Sequence, residues 1–236
     1  PTKDTTSTDT KRIQHSHAVR KAIAEKSFQF FFELYFEHYM TAPFGKFHKE
    51  IFHYLENEHE TFITIMAFRG SGKSSIISTA FPIWSILGDM KNKFIVIVAQ
   101  TQAQAKLYMR NLKEELESNI LSNEISDHLK KIVQNGIIIA GAEEILSSYH
   151  GHICRPVDTR NTTQESQTDL IIADDIENIQ SMKTREGRDN LQEWFTKELI
   201  PIGDPKKTKI VLLGNMLHRD SLLMRLKDAI GKKTRL

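Results

Sequence analysis

The sequence predicts an α/β domain: a mostly parallel central sheet with flanking helices, behind an N-terminal helical lead-in. Three observations predict it. Five short segments, at 61–67, 93–99, 136–140, 169–174 and 209–214, are dominated by apolar residues with little polar alternation. They alternate with segments whose apolar residues recur at helical spacing. The first of them runs straight into a Gly/Ser loop and then a helical pattern. Strands apolar on both faces need cover on both faces, which a parallel sheet obtains from its crossover helices. A chain of 236 residues holds one large domain or two small ones. Hydrophobic residues at 39% and charged residues at 26% are ordinary for a globular protein and exclude a fibrous one. A formal net charge of +2 excludes a wholly cationic surface but leaves room for a local basic patch. Cys154 is the single cysteine, so no intrachain disulfide is expected and a reducing compartment is the natural reading. No apolar run approaches the roughly 18 residues that span a bilayer, and residues 1–10 carry no apolar leader core.

Each element follows in order. Residues 1–17 are Thr-rich and nearly devoid of apolar side chains, and read as a flexible tail. From 18 to 60 the chain is a helical lead-in. Ala18 to Met40 reads as one helix on the spacing of Val19, Ile23, Phe30, Phe31, Leu34 and Tyr35, with the phenylalanines of 28–36 as core. Pro43 and Gly45 break it, and a second helix runs from Lys46 to Asn57. The strand at 61–67 leads into the Gly/Ser loop and a helix over Lys73–Leu87. After the strand at 93–99, Thr101 caps a helix to about Ser118 with Ala103, Leu107, Leu112 and Leu116 as its apolar positions. The strand at 136–140 and an irregular polar stretch, 147–168, come next. The strand at 169–174 is followed by a helix from Ser181 to Leu199, stopped by Pro201. The strand at 209–214 precedes a last helix over Asp220–Ala229. The whole of 18–236 reads as one domain.

The loop carries chemistry. Ala67-Phe-Arg-Gly-Ser-Gly-Lys-Ser74 follows the phosphate-binding pattern G-x-x-x-x-G-K-[ST], with Ala67 in place of the first glycine. Gly70 and Gly72 let backbone N–H groups turn inward around phosphate oxygens, and the next helix offers its positive N-terminus. Lys73 reaches the β- and γ-phosphates, and the Ser74 hydroxyl ligates Mg²⁺. The nucleotide-binding set is Ala67, Phe68, Arg69, Gly70, Ser71, Gly72, Lys73, Ser74 and Ser75. A strand before and a helix after are what this mechanism requires.

Asp169-Leu-Ile-Ile-Ala-Asp-Asp175 ends a buried strand in two adjacent carboxylates, at the sheet edge where α/β folds bind ligands. Asp174 lies 101 residues after Lys73, enough for intervening strands as in P-loop NTPases of the additional-strand (ASCE) type. Asp174 is the expected Mg²⁺-holding acid. A neighbouring acid would deprotonate the attacking water. The usual second residue is Glu; here it is Asp175, and Glu177 follows two residues on. Asp175 is preferred as base and Glu177 stays open as its rival.

Taken together, these residues resemble the N-terminal ATPase part of a tailed-bacteriophage terminase large subunit, the motor of viral genome packaging. Four segments carry the resemblance: Phe68-Arg-Gly-Ser-Gly-Lys-Ser74; Ile95 to Lys106; Asp169 to Glu177 with Trp194, Phe195 and Pro201 downstream; and Ile210 to Leu223, which is similar to the family's coupling motif. The resemblance implies ATP hydrolysis that powers translocation of double-stranded DNA into a procapsid, with ATP and Mg²⁺ as cofactors. It implies that Arg69 faces the triphosphate and that Asn215 couples hydrolysis to movement. It implies that Phe44, Phe47 or His48 lies near adenine. It implies an arginine supplied by a neighbouring subunit, for which Arg110, Arg155, Arg160 and Arg185 are candidates. The implied partners are double-stranded DNA, a terminase small subunit, a portal protein and further copies in a ring, in the host cytoplasm and transiently at the procapsid portal. The family's nuclease domain is expected to be absent from this chain, so no DNA cleavage is expected of it.

Other signals carry less. His15 and His17, and His150 and His152, have metal-like spacing without a second ligand pair nearby. Cys154 reads as a packed thiol. Residues 206–236 hold nine basic against two acidic side chains, which reads as a solvated face or a surface for phosphate backbone. The alternatives to a DNA-translocating motor are a helicase-like or other P-loop ATPase, which as a two-lobed enzyme would need a second motor lobe, and a nucleotide-gated binding module with weak hydrolysis.

Overall fold

The computed structural model of the protein describes residues 17–40, 42–57, 59–92, 94–118, 137–141, 168–230 and 234–235. The lead-in comprises α1 (His17–Lys26), α2 (Phe28–Tyr35) and α3 (Lys46–Glu56). Strand β1 (Phe62–Met66) feeds the Gly/Ser loop, a π-helical stretch (Ser75–Ala80) and α4 (Phe81–Leu87). Then come β2 (Ile95–Ala99), α5 (Gln102–Glu117), β3 (Ile137–Gly141) and β4 (Leu170–Asp174). Helices α6 (Ile179–Lys183) and α7 (Arg185–Trp194) lead through a second π-helical stretch (Phe195–Leu199) to β5 (Lys209–Gly214). Helix α8 (Leu222–Ile230) and β6 (Thr234–Arg235) follow.

The strands form a six-stranded sheet in the order β3-β2-β4-β5-β1-β6, with every registered pair parallel. β5 therefore stands between the strand that enters the Gly/Ser loop and the strand that ends in the twin aspartates. Alternation along each strand sorts the core into two layers. Ile63, Ile65, Ile95, Ile97, Leu170, Ile172, Val211 and Leu213 pack against the lead-in, α4 and α5. Val96, Val98, Ile171, Ala173, Ile210 and Leu212 pack against α7, the stretch after it and α8. Lys209 starts β5 and is buried, and its Nζ donates to the Leu55 carbonyl at 2.6 Å and the Asn57 carbonyl at 2.8 Å. It closes the C-terminal end of α3 and is withdrawn from the basic surface expected of 206–236. Among the described residues no helix is long and apolar enough to cross a membrane.

The five expected strands are all present, and four expectations need correction. The single helix over 18–40 is two, because Ser27 adopts an extended conformation and caps α2. Glu56 fixes that break by accepting from the Ser27 hydroxyl at 3.0 Å and from the Gln29 N–H at 2.9 Å. Phe28, Phe31, Phe32 and Phe36 are core, but Phe30 is 49% exposed. Leu112 and Leu116 are buried in α5 as expected, but Ala103 and Leu107 are exposed, and Ala105, Tyr108 and Glu115 complete the buried stripe because two polar tips find partners inside. Tyr39 donates to Glu115 at 2.9 Å, and Tyr108 reaches Asp174. The helix over 181–199 breaks at Thr184, whose hydroxyl accepts from the Gly187 N–H at 3.0 Å to start α7. The helix after the loop opens into π register just before Pro82, which lacks the N–H that an α-helix would direct at the Ser78 carbonyl. The lead-in is bound to this helix: Trp84 Nε1 donates to the Ala24 carbonyl at 2.8 Å, and the Phe28 ring lies 5.1 to 5.3 Å from those of Phe52, Phe81 and Trp84.

Candidate active site

The site forms where β1, β4 and β5 end together. β1 hands over to the loop with Ala67 N–H donating to the Gly214 carbonyl at 3.2 Å. Gly70 and Gly72 have φ of 80° and 74°, the left-handed region that side chains resist. A Cβ on either would meet nothing within 4 Å, so conformation, not crowding, demands glycine, and open space faces the loop. His48 braces the loop from α3. Its Nδ1 accepts from the Gly45 N–H at 3.1 Å, which leaves Nε2–H to donate to the Ser71 carbonyl at 2.9 Å. Phe47 stands beside it, 6.2 Å between ring centroids from Phe68, which is 70% exposed.

Lys73 is 6% exposed, and its ammonium lies 3.3 Å from Asp175 Oδ2 and 3.4 Å from Asn215 Oδ1. Asn215 completes the triangle by donating Nδ2 to Asp175 Oδ1 at 3.2 Å. The loop lysine, the second aspartate and the residue after β5 thus converge from three elements. Asp175 leaves the strand with φ 47°, a left-handed turn that its short polar side chain tolerates.

Asp174 shares the face of Leu170 and Ile172 and so points at the helix after the loop, one residue and one face away from Asp175. It is fully buried. Its Oδ2 accepts from the Ser78 hydroxyl and from the Tyr108 hydroxyl, both at 2.6 Å. Its Oδ1 is buried and has no hydrogen-bond partner. Burial pushes its pKa up, against the hydrogen bonds from Ser78 and Tyr108. A buried carboxylate oxygen without a partner costs about 1–3 kcal/mol. That orphaned oxygen beside a loop hydroxyl fits a divalent cation of the Mg²⁺ kind, which keeps most of its waters and takes one or two protein oxygens. Ser74 and Asp174 would hold it. Among the described residues no group of three or more His, Cys, Asp or Glu is placed to hold a metal unaided.

Glu177 is 7% exposed. Its Oε1 accepts the Leu222 N–H at the start of α8, while Oε2 is buried without a partner. Burial pushes its pKa up to about 7, against the Leu222 hydrogen bond and the Arg225 charge. Glu177 and Asp175 line a cavity of about 280 Å³ with Arg69, Gln100, Gln104 and Asn215. Arg69 is exposed at its wall. Asp220 anchors the start of α8 between Arg188 at 2.8 Å and Arg225 at 2.7 Å.

Sequence reasoning missed Ser78, Tyr108 and Gln104. Ser78 lies four residues after Ser74, a spacing that a helix puts on one face, and that was a usable signal. Nothing local marks Tyr108. Arg110 and Arg185 are exposed and each pairs with an acid four residues on, at 3.7 Å. Arg155, Arg160, His15, His150, His152 and Cys154 lie outside the described residues.

No protein-family model matches the chain, and no curated protein matches it. Among solved structures the chain is similar to the yeast DEAD-box splicing factor Prp28, with 12% identity and a TM-score of 0.46. That likeness covers 74% of this chain and 41% of the neighbour, so the chain spans well under two thirds of the neighbour's length.

Proposed function

We propose that the chain binds ATP with Mg²⁺ on the 67–75 loop and hydrolyses it, as an additional-strand P-loop ATPase. We further propose that hydrolysis drives double-stranded viral DNA into a procapsid, as in a terminase large subunit. One observation carries the ATPase reading: Lys73 and Asp175, 102 positions apart in the chain, meet at 3.3 Å beside a buried Asp174. The placement of β5 between β1 and β4 supports the additional-strand type. The DNA, small-subunit, portal and ring proposals rest on the sequence resemblance, with exposed Lys206, Lys207 and Arg219 left as basic surface.

The residues act as follows. Triphosphate oxygens compete with Asp175 for the Lys73 ammonium. When Lys73 turns to the phosphates, Asp175 is released to accept the proton of the attacking water. Ser74 and Asp174 would hold Mg²⁺, which would supply charge neutralisation on the phosphates. Arg69 adds positive charge from the cavity side. Asn215 touches both Lys73 and Asp175, so it senses the separation of that pair and passes it along the 215–222 segment to α8. Asp175 in place of the usual glutamate also favours a second reading, a nucleotide-gated module with weak hydrolysis.

Phosphate release by the wild-type chain and by Lys73→Ala, with and without double-stranded DNA, tests this. Turnover in the variant is expected to fall by about 100-fold or more, the scale of losing one charge-stabilising group. Equal hydrolysis by the two chains removes the ATPase assignment. Nucleotide binding without turnover selects the gated module.

A further inference from the structure

We infer that Tyr108, together with Ser78, is a positioning residue for the divalent cation: the two hydroxyls occupy Oδ2 of Asp174 and leave Oδ1 as its one open oxygen. The inference rests on the reading of Asp174 as the cation-holding acid. The donor distribution carries it. Two hydroxyls converge on one buried carboxylate oxygen at 2.6 Å each, while the other, equally buried, has none. Serving the buried charge alone would spread the donors over both oxygens, since each unpaired one is costly. Crowding them onto Oδ2 fixes the plane of the carboxylate and reserves Oδ1.

Gln104 commits the proton. A tyrosine hydroxyl has one hydrogen, and Gln104 Nε2 donates into its oxygen at 2.9 Å. The hydrogen is therefore directed at Asp174. Gln104 itself lines the cavity beside Asp175 and Glu177, so α5 reaches from the cavity wall to the acid through two side chains. Ser78 arrives from the other side, out of the π-helical stretch, where the register before Pro82 departs from a regular helix. Outer partners that orient ligating groups in this way typically contribute 10- to 100-fold to metal affinity.

The test uses the full chain with a fluorescent ATP analogue. Its affinity is titrated against Mg²⁺ and measured again in EDTA, and bound Mn²⁺ is followed by electron paramagnetic resonance. Tyr108→Phe keeps the ring and removes the hydroxyl. The expected result is about 10- to 100-fold weaker Mn²⁺ and Mg²⁺ dependence, EDTA-state nucleotide affinity within twofold of wild type, and turnover restored by excess Mg²⁺. A merely structural role would instead lower the EDTA-state affinity, and excess metal would restore nothing. Ser78→Ala is expected to shift the metal dependence in the same direction and stands in if Tyr108→Phe does not fold. Metal affinity within twofold of wild type in both variants overturns the inference and leaves the ATPase reading intact. A wild-type chain that binds neither nucleotide nor Mn²⁺ overturns both.

Discussion

Glu177→Gln separates a catalytic role from a structural one. In the folded chain burial holds this carboxyl at about 7, from an ordinary 4.5. Between those values the folded state keeps a proton that the unfolded state has lost. The group's contribution is thus most favourable below pH 4.5 and is lost as pH rises through 7. The span of about 2.5 units amounts to about 3 kcal/mol of unfolding free energy. Glutamine is neutral throughout and keeps an oxygen for the Leu222 N–H. Urea unfolding of both chains from pH 5 to pH 8 should therefore show the variant gaining about 2.5 kcal/mol relative to wild type. Asp174 is also shifted upward by burial, but it is present in both chains and cancels in the difference. A pH-independent difference would refute the buried-carboxylate argument. The same pair of proteins tests the base. With Asp175 as base, Glu177→Gln keeps turnover within a few-fold of wild type while Asp175→Asn loses about 100-fold. The reverse order would make Glu177 the base.

Two further outcomes follow from the fold. Gly72→Ala should destabilise by about 1–2 kcal/mol through its left-handed backbone alone, since the new Cβ meets nothing within 4 Å; a larger loss in urea unfolding would mean an unseen clash. Lys209→Met keeps the stem and removes the donor to the Leu55 and Asn57 carbonyls, and should cost about 2–4 kcal/mol in the same assay, with no change in DNA affinity because that lysine is buried.

The sequence by itself determined the five strands, the loop and the acidic strand end, because each is a local pattern: apolar runs, glycines before a lysine, carboxylates at a strand terminus. It also determined that the aspartates end one strand and that Lys73 follows the loop after another, and hence that both lie at one edge of a parallel sheet. Tertiary structure decided the rest. The helix break at Ser27 keeps the apolar spacing of a continuous helix; what selects the break is the Glu56 carboxylate, arriving from another helix. The buried face of α5 could not be read from hydrophobicity, since Tyr108 and Glu115 go inside only because Asp174 and Tyr39 wait there. Lys209 reads as surface charge until the carbonyls at the end of α3 surround it. In each case a polar group's burial depends on a partner far away in the chain. Periodicity registers which residues avoid water, and it carries no record of which distant atom will replace that water.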